Sequence, residues 1–200
     1  MNRRMLAAIT TVIVAAIVVA ALLVYFKGPT HGSVQAASHP PVVGKAQQGK
    51  TAPQFEVATT AGYFDLSKTR KPVFLEVFAT WCPHCQRETA IIDRLYAKYR
   101  NRVDFVAVSG SDTAMDGTSA SSELDVLNWI RQFNVKYPVA YDPLLNVADL
   151  YMQGGFPTIA IIGPNKKIRY LDDGEISYGD LDAALQSALR PSTALRMTKS

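Results

Sequence analysis

The sequence predicts an α/β domain with a mixed central β-sheet flanked by helices, preceded by an N-terminal transmembrane helix. Three observations lead to this prediction. Strand-like and helix-like apolar patterns alternate from Thr51 onward. An uncharged apolar run occupies residues 5–26. The chain of 200 residues, 48% hydrophobic and 19% charged, is long enough for one such domain and an anchor.

The apolar run at residues 5–26 is the predicted anchor. At about 1.5 Å per residue, a helix of this length crosses a hydrocarbon core about 30 Å thick. Arg3 and Arg4 precede it and only Lys27 follows closely, so the positive-inside rule leaves the N-terminus in the cytoplasm. We therefore expect a single-pass protein of the cytoplasmic membrane with its domain in the periplasm or extracytoplasmic space. The alternative is a cleaved signal peptide ending near Ala36, although such peptides use only about 7 to 15 apolar residues.

The remaining segments outside the domain carry little chemistry. The stretch after the anchor is rich in Gly, Pro, Ser, Ala and Gln and has no period, which is typical of a flexible linker. The net charge of +4 is modest, and no basic stripe interleaved with aromatic residues is present, so a nucleic-acid partner is not expected. We divide the chain into an anchor at 1–27, a linker at 28–50, a domain at 51–190 and a basic tail at 191–200.

The elements of the domain follow from the apolar period of each segment. Alternating or short unbroken apolar runs predict strands, and apolar residues three and four apart predict helices. One hairpin is expected around Thr59 and Gly62, and another across Pro164 and Asn165. In chain order the predicted strands are "PQFEVA", "GYFDL", "VFLEVF", "VDFVAVS", "YPVAYD", "TIAIIG" and "KIRYLDD". The predicted helices are "CPHCQRETAIIDRLYAKYR", a segment that begins near Ser122, "LLNVADLYM" and "YGDLDAALQSAL".

Two of these helices have a predicted buried face. In the first, the stripe consists of Ile91, Ile92, Leu95 and Tyr99. The second begins with Ser122 and Asp125 at the spacing of a capping box. Its predicted core stripe consists of Leu124, Leu127, Ile130 and Phe133.

The chain has only two cysteines, Cys82 and Cys85, and both lie at the start of the first helix. If Cys82 is the N-cap, Pro83 takes the first helical position and the amides of His84 and Cys85 point back at the Cys82 sulfur. The helix terminus and a protonated His84 then stabilise a thiolate there. Cys85 is the predicted resolving partner, because this spacing allows a disulfide within the turn that exchanges two electrons through a mixed disulfide.

Two glutamates are candidate proton acceptors for this pair. Glu76 lies on an apolar strand between Phe74 and Phe78 on one face, where ionisation without a partner costs several kcal/mol, so a raised pKa is expected. Placed under the helix start, it would accept the Cys85 proton. The alternative is a solvated glutamate on an edge strand. Glu88 lies on the same helix face as Cys85, either as a second acceptor or as an exposed helical residue.

A metal-binding module is the alternative from another class of protein. The Cys-x-x-Cys spacing is also half of a zinc site, but the chain has no second cysteine pair. His84 would be the third ligand of a copper or zinc site. Because His84 is expected to point outward, we predict neither a metal nor another cofactor.

Two motifs resemble the thioredoxin superfamily, in which a Trp-Cys-x-x-Cys helix start faces a cis-proline loop. They are "VFLEVFATWCPHC" and "GGFPT" at residues 154–158. The resemblance extends over about residues 50–189. "GKTAPQFEV", the inserted segment at 122–142 and "GEISYGDLDAAL" are similar in particular to the membrane-anchored TlpA/ResA branch of extracytoplasmic oxidoreductases.

This resemblance implies a thioredoxin-like fold and a thiol-disulfide oxidoreductase. Its expected partners are cysteine-containing substrate proteins and a membrane redox partner that recycles the pair. Pro157 is expected to be cis, and the Phe156 backbone to pair with the substrate beside Cys82. Glu76 stands where thioredoxin has its buried acid, although many TlpA-like proteins have Asn there, and Glu88 stands where ResA-like proteins have an active-site glutamate. The further expected substrate-binding residues are Trp81, Pro83 and Thr158.

The direction of electron flow is where the resemblances differ. The Pro83-His84 dipeptide is similar to that of the disulfide-donating DsbA proteins, but the segment between Cys85 and Pro157 is too short for the helical domain that DsbA inserts. A stabilised Cys82 thiolate favours the reduced pair, so we predict an oxidising enzyme. The alternative is a TlpA/ResA-type reductase for cytochrome c maturation or copper-centre thiols. A peroxiredoxin shares the "AP.F" opening, but its signature needs Pro and Thr where this chain has Leu75 and Ala79.

Overall fold

The structure, a computed structural model, describes residues 45–190. The strands are β1 (Glu56–Thr59), β2 (Gly62–Asp65), β3 (Val73–Phe78), β4 (Asp104–Ser109), β5 (Val139–Tyr141), β6 (Thr158–Ile162) and β7 (Ile168–Asp173). The helices are α1 (Pro83–Tyr99), α2 (Glu123–Phe133), α3 (Asn146–Tyr151) and α4 (Tyr178–Leu189). Each strand and helix predicted for the domain is present, so the α/β prediction is confirmed for the domain.

The central sheet has five strands in the order β5-β4-β3-β6-β7. β3 pairs parallel with β4 and antiparallel with β6, so the sheet is mixed, as predicted. β1 and β2 form a separate antiparallel hairpin. β3 is therefore the middle strand, and all six of its residues are buried. The chain passes from the carboxyl end of β3 to the start of α1 within a few residues. The cysteines therefore lie where the carboxyl end of the middle strand meets the helix.

Successive residues of β3 point to opposite faces of the sheet. Phe74 and Phe78 belong to the core cluster shared with α1, α2 and α4. Leu75 and Val77 belong to the other cluster, which includes residues of α3. Glu76 has the same parity as the two phenylalanines, as the sequence predicted, and is thus directed into the layer beneath α1.

Helix α2 begins where predicted but buries a different face. The Ser122 hydroxyl accepts a hydrogen bond from the Asp125 amide at 3.1 Å, which confirms the N-cap. The predicted stripe is partly wrong, because Leu124 and Leu127 are 60% and 37% exposed. The helix packs instead through residues with the i, i+3, i+4, i+7 spacing of a single face. These are Val126, Trp129, Ile130 and Phe133.

The domain begins earlier than predicted. Ala46 is buried and its amide donates to the Leu150 carbonyl at 2.8 Å. The Gly49 amide donates to the Ile168 carbonyl at the same distance. Residues 45–50, predicted as the end of the flexible linker, are thus part of the folded unit, because their backbone groups bond to α3 and β7.

The predicted anchor at 1–27, most of the predicted linker and the basic tail at 191–200 lie outside the described residues. Within residues 45–190, no helix is both long and apolar enough to cross a membrane.

Candidate active site

The two cysteines lie at the start of α1, in the geometry that the sequence predicted. Cys82 is the N-cap and Pro83 the first helical residue. The loop before them is held from both sides: the Cys82 amide donates to the Ala79 carbonyl at 3.1 Å, and the Gln86 side chain donates to the Thr80 carbonyl at 2.8 Å. Both cysteines carry free thiols, with Cys82 4% and Cys85 0% exposed. Cys82 is therefore the sulfur nearer to solvent.

A second loop faces Cys82. The Phe156–Pro157 peptide bond is cis, as the resemblance implied. The Cys82 thiol lies 3.5 Å from the Phe156 carbonyl oxygen. Thr158 is fully buried, and its hydroxyl donates to the Gly155 carbonyl at 2.9 Å. The side chain of Thr158, one of the expected substrate-binding residues, thus supports the loop from within the protein.

Cys82 lies at the edge of an open cleft of about 730 Å³. Trp81 is 38% exposed there, and its indole N–H donates to the Ser111 hydroxyl at 2.8 Å. The indole also meets the Phe156 ring edge-on, with 5.9 Å between the centroids. Leu144, which is 74% exposed, also lines the cleft. The cleft thus presents exposed apolar side chains in the same space as the Cys82 sulfur.

The pKa values of the two thiols are shifted in opposite directions. The pKa of Cys82 is lowered to about 6, chiefly by a hydrogen bond from the Cys85 thiol and then by the backbone amides of Cys85 and His84, whereas burial opposes this shift. The neutral Cys82 thiol does not cap the helix and is directed at the Phe156 carbonyl instead. Burial raises the pKa of Cys85, and the hydrogen bond to Cys82 and the charge of Glu76 add to the increase. Cys82 is therefore the sulfur suited to attack.

Glu76 is fully buried on the central strand, which rules out the alternative of a solvated edge residue. The Tyr137 hydroxyl donates to Oε2 at 3.3 Å, and Oε1 has no hydrogen-bond partner. Burial, and next the charge of Glu88, raise the pKa of Glu76 well above its usual range. Burial thus favours the neutral carboxyl, which is able to exchange a proton with Cys85, whose pKa responds to the charge of Glu76.

Glu88 is also fully buried, so the alternative of an exposed helical residue is wrong. Its Oε1 accepts a hydrogen bond from the Ile176 amide at 3.3 Å, while Oε2 has no partner. Burial raises the pKa of this carboxyl to about 8. A group with such a pKa exchanges protons readily near neutral pH.

His84 points outward, as expected, but it is not isolated. Its Nδ1 lies 3.0 Å from Glu175 Oε2 and 2.7 Å from Arg87 Nη2. Glu175 is 91 residues away in the chain, in the loop between β7 and α4. The sequence analysis singled out neither Glu175 nor Arg87. For Glu175 no local pattern marks the contact, because it depends on how the last loop folds back over α1.

Tyr137 was also missed, although it is the single hydrogen-bond donor to Glu76 among the described residues. It is buried, and its pKa is raised by burial and by the charge of Glu76. A tyrosine just before a short strand is an ordinary core residue by its local pattern, so the sequence carried no signal for this role.

Within residues 45–190, no group of three or more His, Cys, Asp or Glu side chains is arranged to hold a metal ion.

This site, on a thioredoxin-like fold, defines the class of the protein: a Cys-x-x-Cys pair at a helix start opposite a cis-proline is the site of a thiol-disulfide oxidoreductase. The chain belongs to the AhpC/TSA family, which matches residues 48–171. Leu75 and Ala79, both buried, occupy the positions where the peroxiredoxin signature has Pro and Thr. The match over residues 48–171 is therefore one of the domain and does not extend to the peroxiredoxin signature.

Similar proteins of known class are also thiol-disulfide oxidoreductases. The thiol-disulfide oxidoreductase ResA of Bacillus cereus is 32% identical over 145 residues, which cover 71% of this chain and 79% of that protein. The protein of the same name from Oceanobacillus iheyensis is 33% identical over 144 residues, covering 68% and 70% of the two chains. Among solved structures, a Chlorobium tepidum protein assigned as thiol:disulfide interchange protein DsbE superposes with a TM-score of 0.63 at 26% identity, over 72% of this chain and 99% of its own.

Proposed function

We propose that this chain is a membrane-anchored, extracytoplasmic protein disulfide oxidoreductase that donates disulfides to cysteine-containing proteins. The observation that carries the proposal is the contrast between the two sulfurs: the pKa of Cys82 is lowered to about 6 and that of buried Cys85 is raised. Stabilising the Cys82 thiolate stabilises the reduced pair, which makes the disulfide a stronger electron acceptor.

The proposed reaction has two exchange steps. A substrate thiolate attacks the Cys82 sulfur of the Cys82–Cys85 disulfide, which forms a mixed disulfide and releases Cys85 as a thiolate. A second substrate thiolate then attacks the substrate sulfur of the mixed disulfide and releases the Cys82 thiolate. The substrate leaves with a new disulfide and has lost two electrons to the cysteine pair. A membrane redox partner then reoxidises the pair.

The two buried glutamates would donate a proton to Cys85 in this cycle. Burial disfavours the Cys85 thiolate, so this sulfur needs a proton donor when it leaves the disulfide. Glu76 is the first candidate donor, because its charge is among the causes that raise the pKa of Cys85, and Glu88, with a pKa of about 8, is a second. In the reverse direction the same carboxylates would accept the proton as Cys85 attacks.

A reductase is the second candidate, and one observation favours it. The Cys82 charge is among the smaller causes that raise the pKa values of Glu76 and Glu88, after burial. Repulsion between like charges is mutual, so ionised Glu76 and Glu88 would disfavour the Cys82 thiolate at higher pH. The similarity to ResA proteins fits a reductase equally well. The open apolar cleft around Cys82 suits a polypeptide substrate in either direction.

The reduction potential decides between the two. We expect equilibration of the purified protein with glutathione to give a potential nearer to DsbA, at about −120 mV, than to thioredoxin, at about −270 mV. The physical reason is the stabilised Cys82 thiolate. A potential below about −230 mV would overturn the oxidising direction and favour the reductase.

We propose that the apolar run at residues 5–26 is retained as an anchor. Its length, and the Arg3 and Arg4 pair before it, support a span with the N-terminus inside. After carbonate extraction of cells that express the full chain, the protein should remain with the membranes. A soluble periplasmic chain that starts near Ala37 would contradict the anchor and indicate a cleaved signal peptide.

A further inference from the structure

Glu175 joins the last loop of the domain to the cysteine helix. Its Oε2 accepts from Arg87 Nη2 at 2.7 Å, and both carboxylate oxygens lie within 3.3 Å of Arg87 Nε. The forked contact fixes the plane of the carboxylate, as such pairs do. The same Oε2 lies 3.0 Å from His84 Nδ1. The carboxylate is thus held in place against an imidazole two residues after Cys82.

His84 Nδ1 has two neighbours that require different protonation states. A nitrogen with a lone pair accepts from Arg87, whereas a protonated nitrogen donates to Glu175. Arg87 Nη2 lies 2.7 Å away, and Glu175 Oε2 lies 3.0 Å away. Nδ1 therefore lies between a donor and an acceptor. Glu175 contacts both His84 and Arg87, so this one carboxylate holds both side chains at the start of α1.

We infer that Glu175 is a positioning residue that holds His84 at the start of α1, two residues after Cys82, and through it favours the thiolate of Cys82. The inference rests on the proposed function only for the role of Cys82 as the attacking sulfur, and not for the direction of electron flow. The charged groups that face His84 are Arg87 on α1 and Glu175 on the last loop. Glu88, buried on the same helix, is close enough for its pKa to be raised slightly by the charges of Glu175 and Cys82.

An ordinary surface ion pair would give a different result. The side chains of His84 and Glu175 are 55% and 39% exposed, so their attraction contributes little to the free energy of folding. Loss of Glu175 should therefore leave the unfolding midpoint nearly unchanged. It should change the chemistry of Cys82, because the His84 charge is among the causes that lower the Cys82 pKa.

The test is a double-mutant cycle in the full chain with Glu175→Gln, His84→Gln and both together. The readouts are the rate of Cys82 alkylation across pH and the equilibrium constant with glutathione. We expect Glu175→Gln to raise the Cys82 pKa and to reduce the thiolate fraction below that pKa by about two- to fivefold, the size of an exposed charge effect at a helix end. In the His84→Gln background the same change should have no further effect. Glu56→Gln, an exposed glutamate on β1, is the matched control for loss of one charge.

Three outcomes would overturn the inference. The first is an unchanged Cys82 pKa in Glu175→Gln. The second is an equal shift of the Cys82 pKa by Glu175→Gln in the parent and in the His84→Gln background. The third is a lowered Cys82 pKa in Glu175→Gln, which would mean that the carboxylate acts by direct repulsion of the thiolate. A low potential of the parent protein with an intact His84–Glu175 coupling would instead overturn only the oxidising function.

Discussion

Cys85→Ser is expected to accumulate covalent complexes with substrate proteins, whereas Cys82→Ser is expected to lose turnover altogether. At pH 7 most Cys82 is thiolate, because its pKa is about 6. Cys85 has a pKa raised above its usual value, so less than about one per cent of it is ionised at this pH. Only Cys82 lies at the cleft, and without Cys85 the mixed disulfide on Cys82 cannot be resolved from within the protein.

Two measurements check this expectation. In the reduced parent protein, alkylation near pH 7 should modify Cys82 at least about a hundredfold faster than Cys85, from the ratio of their thiolate fractions. Non-reducing electrophoresis followed by mass spectrometry should detect substrate complexes of Cys85→Ser, and the double Cys82→Ser, Cys85→Ser variant is the control for non-specific adducts. If Cys82→Ser traps substrates instead, the assignment of the attacking sulfur at the α1 start is wrong.

The oxidised protein should lose stability as the pH rises from about 4.5 to about 8. Glu76 and Glu88 have folded pKa values above those of the unfolded chain, so the folded state binds protons more tightly than the unfolded state. Their contribution is complete below the unfolded pKa and is lost as the pH rises through the folded pKa, which for Glu88 is about 8. Since each unit of pKa shift corresponds to about 1.4 kcal/mol, a decrease of a few kcal/mol in unfolding free energy is expected.

The measurement is urea unfolding across pH with the disulfide formed. The disulfide matters because a free Cys82 thiol has a lowered pKa and its contribution has the opposite sign: it is complete above the unfolded pKa and is lost as the pH falls through about 6. Glu88→Gln and Glu76→Gln should each flatten the pH dependence. The amide oxygen of glutamine still accepts from the Ile176 amide in the first case and from Tyr137 in the second. Curves parallel to that of the parent protein would contradict the assigned pKa shifts, and exposed Glu56→Gln is the control.

The local features of the sequence were sufficient for most of the fold. The capping residue Ser122 and the Pro83 that follows Cys82 mark helix starts by their own chemistry, and the structure has both. Helix α4 has the predicted bounds. Glu76 was predicted to be buried because its strand is apolar on both faces, and β3 proved to be the central strand. These features depend on residues a few positions apart, where period, cap and turn chemistry are fixed by the backbone.

Helix α2 shows where local patterns are insufficient. The chosen stripe included Leu124 and Leu127, but the helix buries Val126 and Trp129. The Trp129 ring stacks on Phe78 of the central strand with 4.3 Å between the centroids. Both stripes satisfy a helical period, and only the position of the sheet selects one of them.

The sequence by itself determined the position of the cysteine pair at a helix start and of a buried acid on the strand before it, since these follow from helix-start chemistry and an apolar strand. It predicted the order of attack. Only the tertiary structure decided which groups control that chemistry. Tyr137 donates to Glu76 from 61 residues away, and Glu175 meets His84 from 91 residues away. Such contacts depend on strand order and on the path of the closing loop, so no spacing along the chain encodes them. The pKa of a group depends on its burial and on its neighbours in space, and these are known only once the chain is folded.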